Sequence, residues 1–153
     1  MYEELFNEAA ALIRSFGDDL QAPASEELLA DLRKRVRSQL RYDLPDQYLD
    51  FLRKANGLDW NGLTVYATGR TLIHGQTDRY LPGLVEANEE WRQAGSYRDQ
   101  VIFAHDGDTN YVWHLKDGAF QLRIQPLDRV AETAGSFDEL LMKAFEEHRP
   151  PQD

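Results

Sequence analysis

The hydrophobic pattern begins with a helical period. Leu5, Ala9, Leu12, Ile13 and Phe16 fall on one stripe of residues 2–16, and Gly17 follows as a stop. A polar link from Asp18 to Ala24, containing Pro23, leads to Ser25, whose hydroxyl suits a helix N-cap ahead of Glu26 and Glu27. The helix predicted there buries Leu29, Leu32, Val36 and Leu40. Leu44-Pro45 opens a third helix, because proline fits a first turn where its missing N–H costs nothing. Tyr48, Leu49, Phe51, Leu52 and Ala55 form its buried stripe, and Asn56-Gly57 ends it, with Gly57 as a left-handed cap.

Beyond Gly57 the period falls to two. Leu63, Val65 and Ala67 alternate with Thr64, Tyr66 and Thr68, which predicts a strand, and Leu72-Ile73 predicts a short second one. Gly75 to Gly83 is polar and turn-rich, the pattern of a mobile loop. Leu84, Val85, Asn88 and Trp91 return to helical spacing, with Glu86, Glu89 and Glu90 on the outer side. Val101 to Ala104 is a continuous apolar run, the signature of a buried central strand. Asp117-Gly118 predicts a two-residue hairpin turn that pairs Leu115 with Phe120, Trp113 with Leu122 and Tyr111 with Ile124. The opposite face of that hairpin, with Val112, His114, Gln121 and Arg123, is expected to meet water. Ser136-Phe137-Asp138-Glu139 is a capping box opening a last helix to about His148, apolar at Leu140, Leu141, Ala144 and Phe145. Helices, then strands with an inserted helix, then a closing helix make an α+β fold in a single domain spanning 1–153.

Composition narrows the class. A chain of 153 residues, 42% hydrophobic and 29% charged, has the make-up of a globular domain able to bury a real core. Cysteine is absent, which removes disulfides, zinc ribbons and thiol nucleophiles. The first twenty residues carry five acids and one arginine, unlike a secretory signal, and no apolar run is long enough to span a membrane, so the expected location is cytoplasmic with no membrane partner. Twenty-seven acids against seventeen bases give a net charge of −10, which disfavours nucleic acid as a ligand. The imbalance grows along the chain: residues 1–76 hold 12 acids and 9 bases (net −3), residues 77–153 hold 15 and 8 (net −7). The one basic stripe, Arg33, Arg37 and Arg41 beside Lys34 and Arg35, reads as a solvated helix face with Asp31 pairing to Lys34 and Arg35.

Catalytic signatures are missing: no GxSxG elbow, no phosphate-binding loop, no HExxH helix, and four histidines without metal-ligand spacing. No cofactor is expected. His105-Asp106-Gly107-Asp108-Thr109-Asn110 matches the first three ligands of a calcium loop, but Tyr111 replaces the required glycine and Asp117 the closing glutamate. The segment is read as a strand-to-strand turn, with a small metal-dependent hydrolase on His105, Asp106 and Asp108 as the remote alternative. Trp60, Tyr66, Tyr80 and Tyr97 fall in or beside loops, either as half-buried packing or as the aromatic anchors of a protein interface. Asp59 with Trp60, and Asp106 with Asp108, are placed in loops at strand ends as candidate partner contacts; the acidic helix face of Glu86, Glu89 and Glu90 is the next candidate.

The segment from Leu44-Pro45 through Tyr48, Phe51-Leu52 and Asn56-Gly57 resembles the helix signature of the SUKH superfamily, Leu-Pro-x-x-Tyr/Phe-x-x-Phe-Leu-x-x-x-Asn-Gly. The apolar strand ending in an acidic loop (Ile102 to Asp108), the aromatic strand Tyr111-Val112-Trp113 and the closing Ser136-Phe137 helix are similar too, so the resemblance spans about 40–146. It implies a mixed or antiparallel sheet packed against the N-terminal and C-terminal helices, and a non-enzymatic role. Bacterial members resemble immunity proteins that bind and neutralise a delivered toxin; others resemble regulatory scaffold modules. A chain of net charge −10 suits a basic toxin of the nuclease type, since opposite charge speeds association.

Overall fold

The computed structural model describes residues 1–151. Helix α1 (Glu3–Ser15) presents Tyr2, Phe6, Ala9 and Ala10 to the core, a stripe rotated from the expected one, and Phe16 is 83% exposed. Aromatic area decides the rotation: Tyr2 stacks on Phe145, and Phe6 meets Phe51 edge-on at 5.8 Å. Helix α2 (Glu26–Arg35) starts at the Ser25 hydroxyl, which accepts from the Leu28 amide at 3.2 Å. It widens into a π-turn, Val36–Leu40, and all four expected residues, Leu29, Leu32, Val36 and Leu40, are buried. Its arginines pair away from Asp31: Arg35 reaches Glu86 at 2.6 Å, and Arg37 holds Asp43.

Helix α3 (Asp46–Lys54) buries Tyr48, Leu49, Phe51 and Leu52 as the pattern requires. The helix ends at an extended Ala55, so Gly57 is not its cap. Gly57 instead turns the chain at φ +87° where a Cβ would lie 2.8 Å from Leu81 and 3.0 Å from Ala67. Asn56 ties the same corner to Thr68, accepting its amide at 2.9 Å and donating to its hydroxyl at 3.0 Å. The Asn-Gly pair therefore fastens α3 to the sheet.

Strands β1 (Leu58–Trp60) and β2 (Leu63–Val65) form a hairpin over Asn61-Gly62, both with positive φ, so Asp59 and Trp60 lie in a strand rather than the expected loop. Strand β3 (Thr71–Leu72) pairs with β4 (Tyr80–Leu81) in a separate small hairpin, which orders part of the segment expected to be a loop. Helix α4 (Leu84–Gln93) is followed by β5 (Gln100–His105), β6 (Thr109–His114), β7 (Ala119–Ile124) and β8 (Arg129–Ala134), the last unanticipated. Helix α5 (Phe137–His148) closes the chain from the expected capping box: Ser136 Oγ accepts from the Glu139 amide, and Glu139 from the Gly135 amide. Among the described residues the main sheet runs β1-β2-β5-β6-β7-β8, every pairing antiparallel.

The β6–β7 hairpin pairs Trp113 with Phe120 and Tyr111 with Leu122, two residues out of the expected register, across a four-residue loop in which the Gly118 amide bonds the His114 carbonyl. A slip of two preserves the faces. Tyr111, Trp113, Phe120 and Leu122 still point at the core, where Phe103 meets Tyr48 and Phe137 at 5.1 Å each. The opposite face does not meet water as expected: Val112 is 0% and Gln121 4% exposed. Arg123 bonds Asp128 at 3.0 Å and Gln121 at 2.6 Å, and the turn bearing Asp128 is tied back to Gln100 and Tyr97. Where β2 ends, α4 takes over the edge of β5: Asn88 accepts from the Ile102 amide at 2.7 Å and donates to its carbonyl at 2.8 Å. No described helix is long and apolar enough to cross a membrane.

Candidate functional site

Tyr66, Trp91 and His105 come from three segments and meet beside α4. The Trp91 indole N–H donates to the Tyr66 hydroxyl at 3.1 Å, and that hydroxyl lies 2.6 Å from His105 Nδ1. An indole nitrogen only donates, so the phenol oxygen accepts from Trp91 and keeps its own proton and a second lone pair for the contact with His105 Nδ1. Burial holds His105 below its ordinary range, against the opposing pull of Asp106, and pushes the Tyr66 hydroxyl well up. The triad is therefore uncharged near neutral pH.

A pocket of about 280 Å³ opens over these three side chains, walled by Pro82, Ala87 and Ala94 and completed by the exposed Glu90. A second hollow of about 300 Å³ shares His105 and Pro82 with it and is lined further by Asp59 and Arg79. A third, about 270 Å³, shares Asp59 and Arg79 and reaches Trp60 and the exposed Phe16. Through these shared walls the three lie side by side as a grooved face, from the end of α1 past β1 to α4.

The groove gathers some of the residues singled out in the sequence and leaves others apart. Asp59 lies in it with Oδ2 held by Arg79 at 3.1 Å. Trp60 contributes to its floor yet is only 6% exposed, with its ring 5.7 Å from Phe145. Glu86, Glu89 and Glu90 are all exposed on α4; Glu90 lines the pocket, and Glu86 is engaged by Arg35. Asp106 and Asp108 sit elsewhere, in the β5–β6 turn by the end of α5. Asp108 is exposed, but Asp106 is drawn inward.

Asp106 has its oxygens fully employed. Oδ1 accepts from the amides of Asp108 (2.9 Å) and Thr109 (2.7 Å), and Oδ2 lies 3.1 Å from the Tyr111 hydroxyl and 3.0 Å from His148 Nε2. Burial pushes its carboxyl up, but these amides, with Asp108 and the Tyr111 hydroxyl, outweigh burial and hold it below the usual carboxylate range. The segment is an Asx-type turn, and its His105 bonds Tyr66 rather than joining the aspartates, so the hydrolase constellation is not assembled. Among the described residues no three His, Cys, Asp or Glu side chains converge as metal ligands. The Tyr66–His105–Trp91 meeting was not legible locally, because its members are separated by 25 and 14 residues and each reads alone as packing.

A family model described as the SMI1 / KNR4 family (SUKH-1) matches residues 23–143. A crystal structure of a protein from Pseudomonas syringae pv. tomato is similar in fold, with a TM-score of 0.54 at 17% identity, covering 87% of this chain and 92% of that one. No curated protein matches the chain.

Proposed function

The chain belongs to the SMI1 / KNR4 family (SUKH-1), and from that membership we propose that it is a non-enzymatic immunity protein, which binds and neutralises a cognate delivered toxin. The family match over residues 23–143 carries the reading. The net charge of −10 supports a basic partner of the nuclease type, because an acidic surface steers such a domain and sets its register on contact. The groove from Asp59 to Glu90, together with the outer face of α4, is the proposed contact surface, and the exposed Asp108 extends the acidic field. Trp60 forms part of its floor, and Asp106 holds the separate β5–β6 turn that carries Asp108.

The test is co-expression with each candidate toxin domain encoded by a neighbouring reading frame, followed by purification through a tag on that domain. A stoichiometric complex that dissociates more readily as salt rises is the expected result. Recovery of the toxin domain alone, under conditions where both proteins are folded, overturns the reading.

A further inference from the structure

We infer that the pocket over Trp91 is the seat of one arginine side chain of the protein partner. The inference rests on the reading of the chain as a binder of a basic protein, and it names the contact that such a partner makes. The pocket offers one partly exposed π-system, Trp91, backed by the fully buried Tyr66, with apolar walls from Pro82 and Ala87 and one carboxylate, Glu90. No lysine or arginine lines it. Its one imidazole, His105, is held in the neutral form by burial and is engaged at Nδ1 by the Tyr66 hydroxyl. Glu86, a turn earlier on α4, is neutralised by Arg35, whereas Glu90 lines the hollow itself.

A planar cation satisfies such a site. A guanidinium can lie on an indole face and pair with a carboxylate at its edge, and it surrenders its hydration more easily than an ammonium does. A volume of about 280 Å³ admits one long side chain and excludes a helix or strand. An apolar occupant would leave the Glu90 carboxylate at the pocket's rim unpaired, and an acidic one would be repelled by it.

The probe is N-acetyl-arginine methylamide, titrated into the isolated protein while the Trp91 indole N–H is followed by NMR, with its resonance assigned through Trp91→Phe. N-acetyl-citrulline methylamide, the same shape without the charge, is the control. Saturable shifts at Trp91 with the arginine probe, at least tenfold weaker binding of the citrulline probe, and weakening by Glu90→Gln at unchanged melting temperature are expected. Equal response to both probes, no saturable response, or indifference to Glu90→Gln overturns the assignment. The titration uses no toxin, so its failure leaves the immunity reading standing. A protein that takes the arginine probe but captures no toxin keeps the pocket and loses that reading.

Discussion

His148 Nε2 lies 3.0 Å from Asp106 Oδ2, while its Nδ1 lies 2.7 Å from the Ala144 carbonyl, so the last turn of α5 is pinned to the turn between β5 and β6. Asn61 joins the same corner, donating to the His148 carbonyl at 2.5 Å. The β1–β2 hairpin, the β5–β6 turn and α5 are fastened together where three stretches of chain end. Asp106→Ala leaves two turn amides and two side chains without their acceptor, so a loss of about 2–3 kcal/mol is expected. Chemical denaturation measures it, and a loss below about 0.5 kcal/mol would mean that water replaces the carboxylate.

Asp106 also sets an acid limb. Its carboxyl is held below the ordinary value of about 3.9, so the folded state releases that proton more readily than the unfolded chain. The stability this brings is complete above about pH 3.9 and drains away as pH falls through the lower folded value. Asp106→Asn should flatten that part of the stability–pH curve, which urea midpoints from pH 5 downward would reveal.

His105 acts in a higher window. Burial lowers its folded value beneath the ordinary 6.5 or so, and the unfolded chain therefore takes up the proton first as the medium is acidified. Stability should fall as pH drops below about 6.5, and His105→Gln should remove that slope between pH 7.5 and 5.5. An identical slope in the variant would place the titrating group elsewhere.

Gly57 is predicted to be intolerant for a backbone reason. Its φ of +87° is one that side-chain-bearing residues rarely adopt, and an added methyl would press on Leu81, Ala67 and the Val65 carbonyl. Gly57→Ala should cost about 2–4 kcal/mol, more than strain at positive φ alone. The open, exposed turn at Gly62 (φ +91°) makes the comparison, since a Cβ there meets nothing within 4 Å. Equal melting temperatures for the two alanine variants would contradict the packing argument.

Much of this architecture was legible in the residues. The stripes of α2, α3 and α5, the Ser25 and Ser136 caps and the buried strand at Val101 to Ala104 follow from period and capping chemistry, which are local. The departures from the local pattern have physical causes too. Asp117-Gly118 suggested a two-residue turn, but the chain closes a four-residue loop, and either register buries the same face. Asn61-Gly62 is a hairpin signal as strong as Asp117-Gly118, and the strand it pairs with β2 carries Asp59 and Trp60. β8 is an edge strand whose residues are mostly exposed, so no alternation of apolar residues marked it. The α1 stripe is not fixed locally, because only the tertiary partners Phe51 and Phe145 favour Tyr2 and Phe6 over Leu5 and Leu12. The groove at Tyr66, Trp91 and His105 depends on contacts across the whole second half of the fold, which no local pattern encodes.

Charge reversal at Asp108 separates electrostatic steering from folding. Its side chain is exposed, so Asp108→Lys should leave the melting temperature unchanged while slowing association with a basic toxin several-fold at low salt. The effect should shrink toward physiological ionic strength as screening sets in. Unchanged association rates at all salt concentrations would move the acidic contact to the α4 face.

Neutralisation itself is the most direct measurement. A candidate toxin domain that the chain captures is assayed for its own activity while the purified chain is added in increasing amounts, with the chain alone assayed in parallel. Activity should fall linearly to zero at one equivalent, and the chain should show no turnover of its own. Full toxin activity in the presence of a large excess of folded protein would contradict an immunity function.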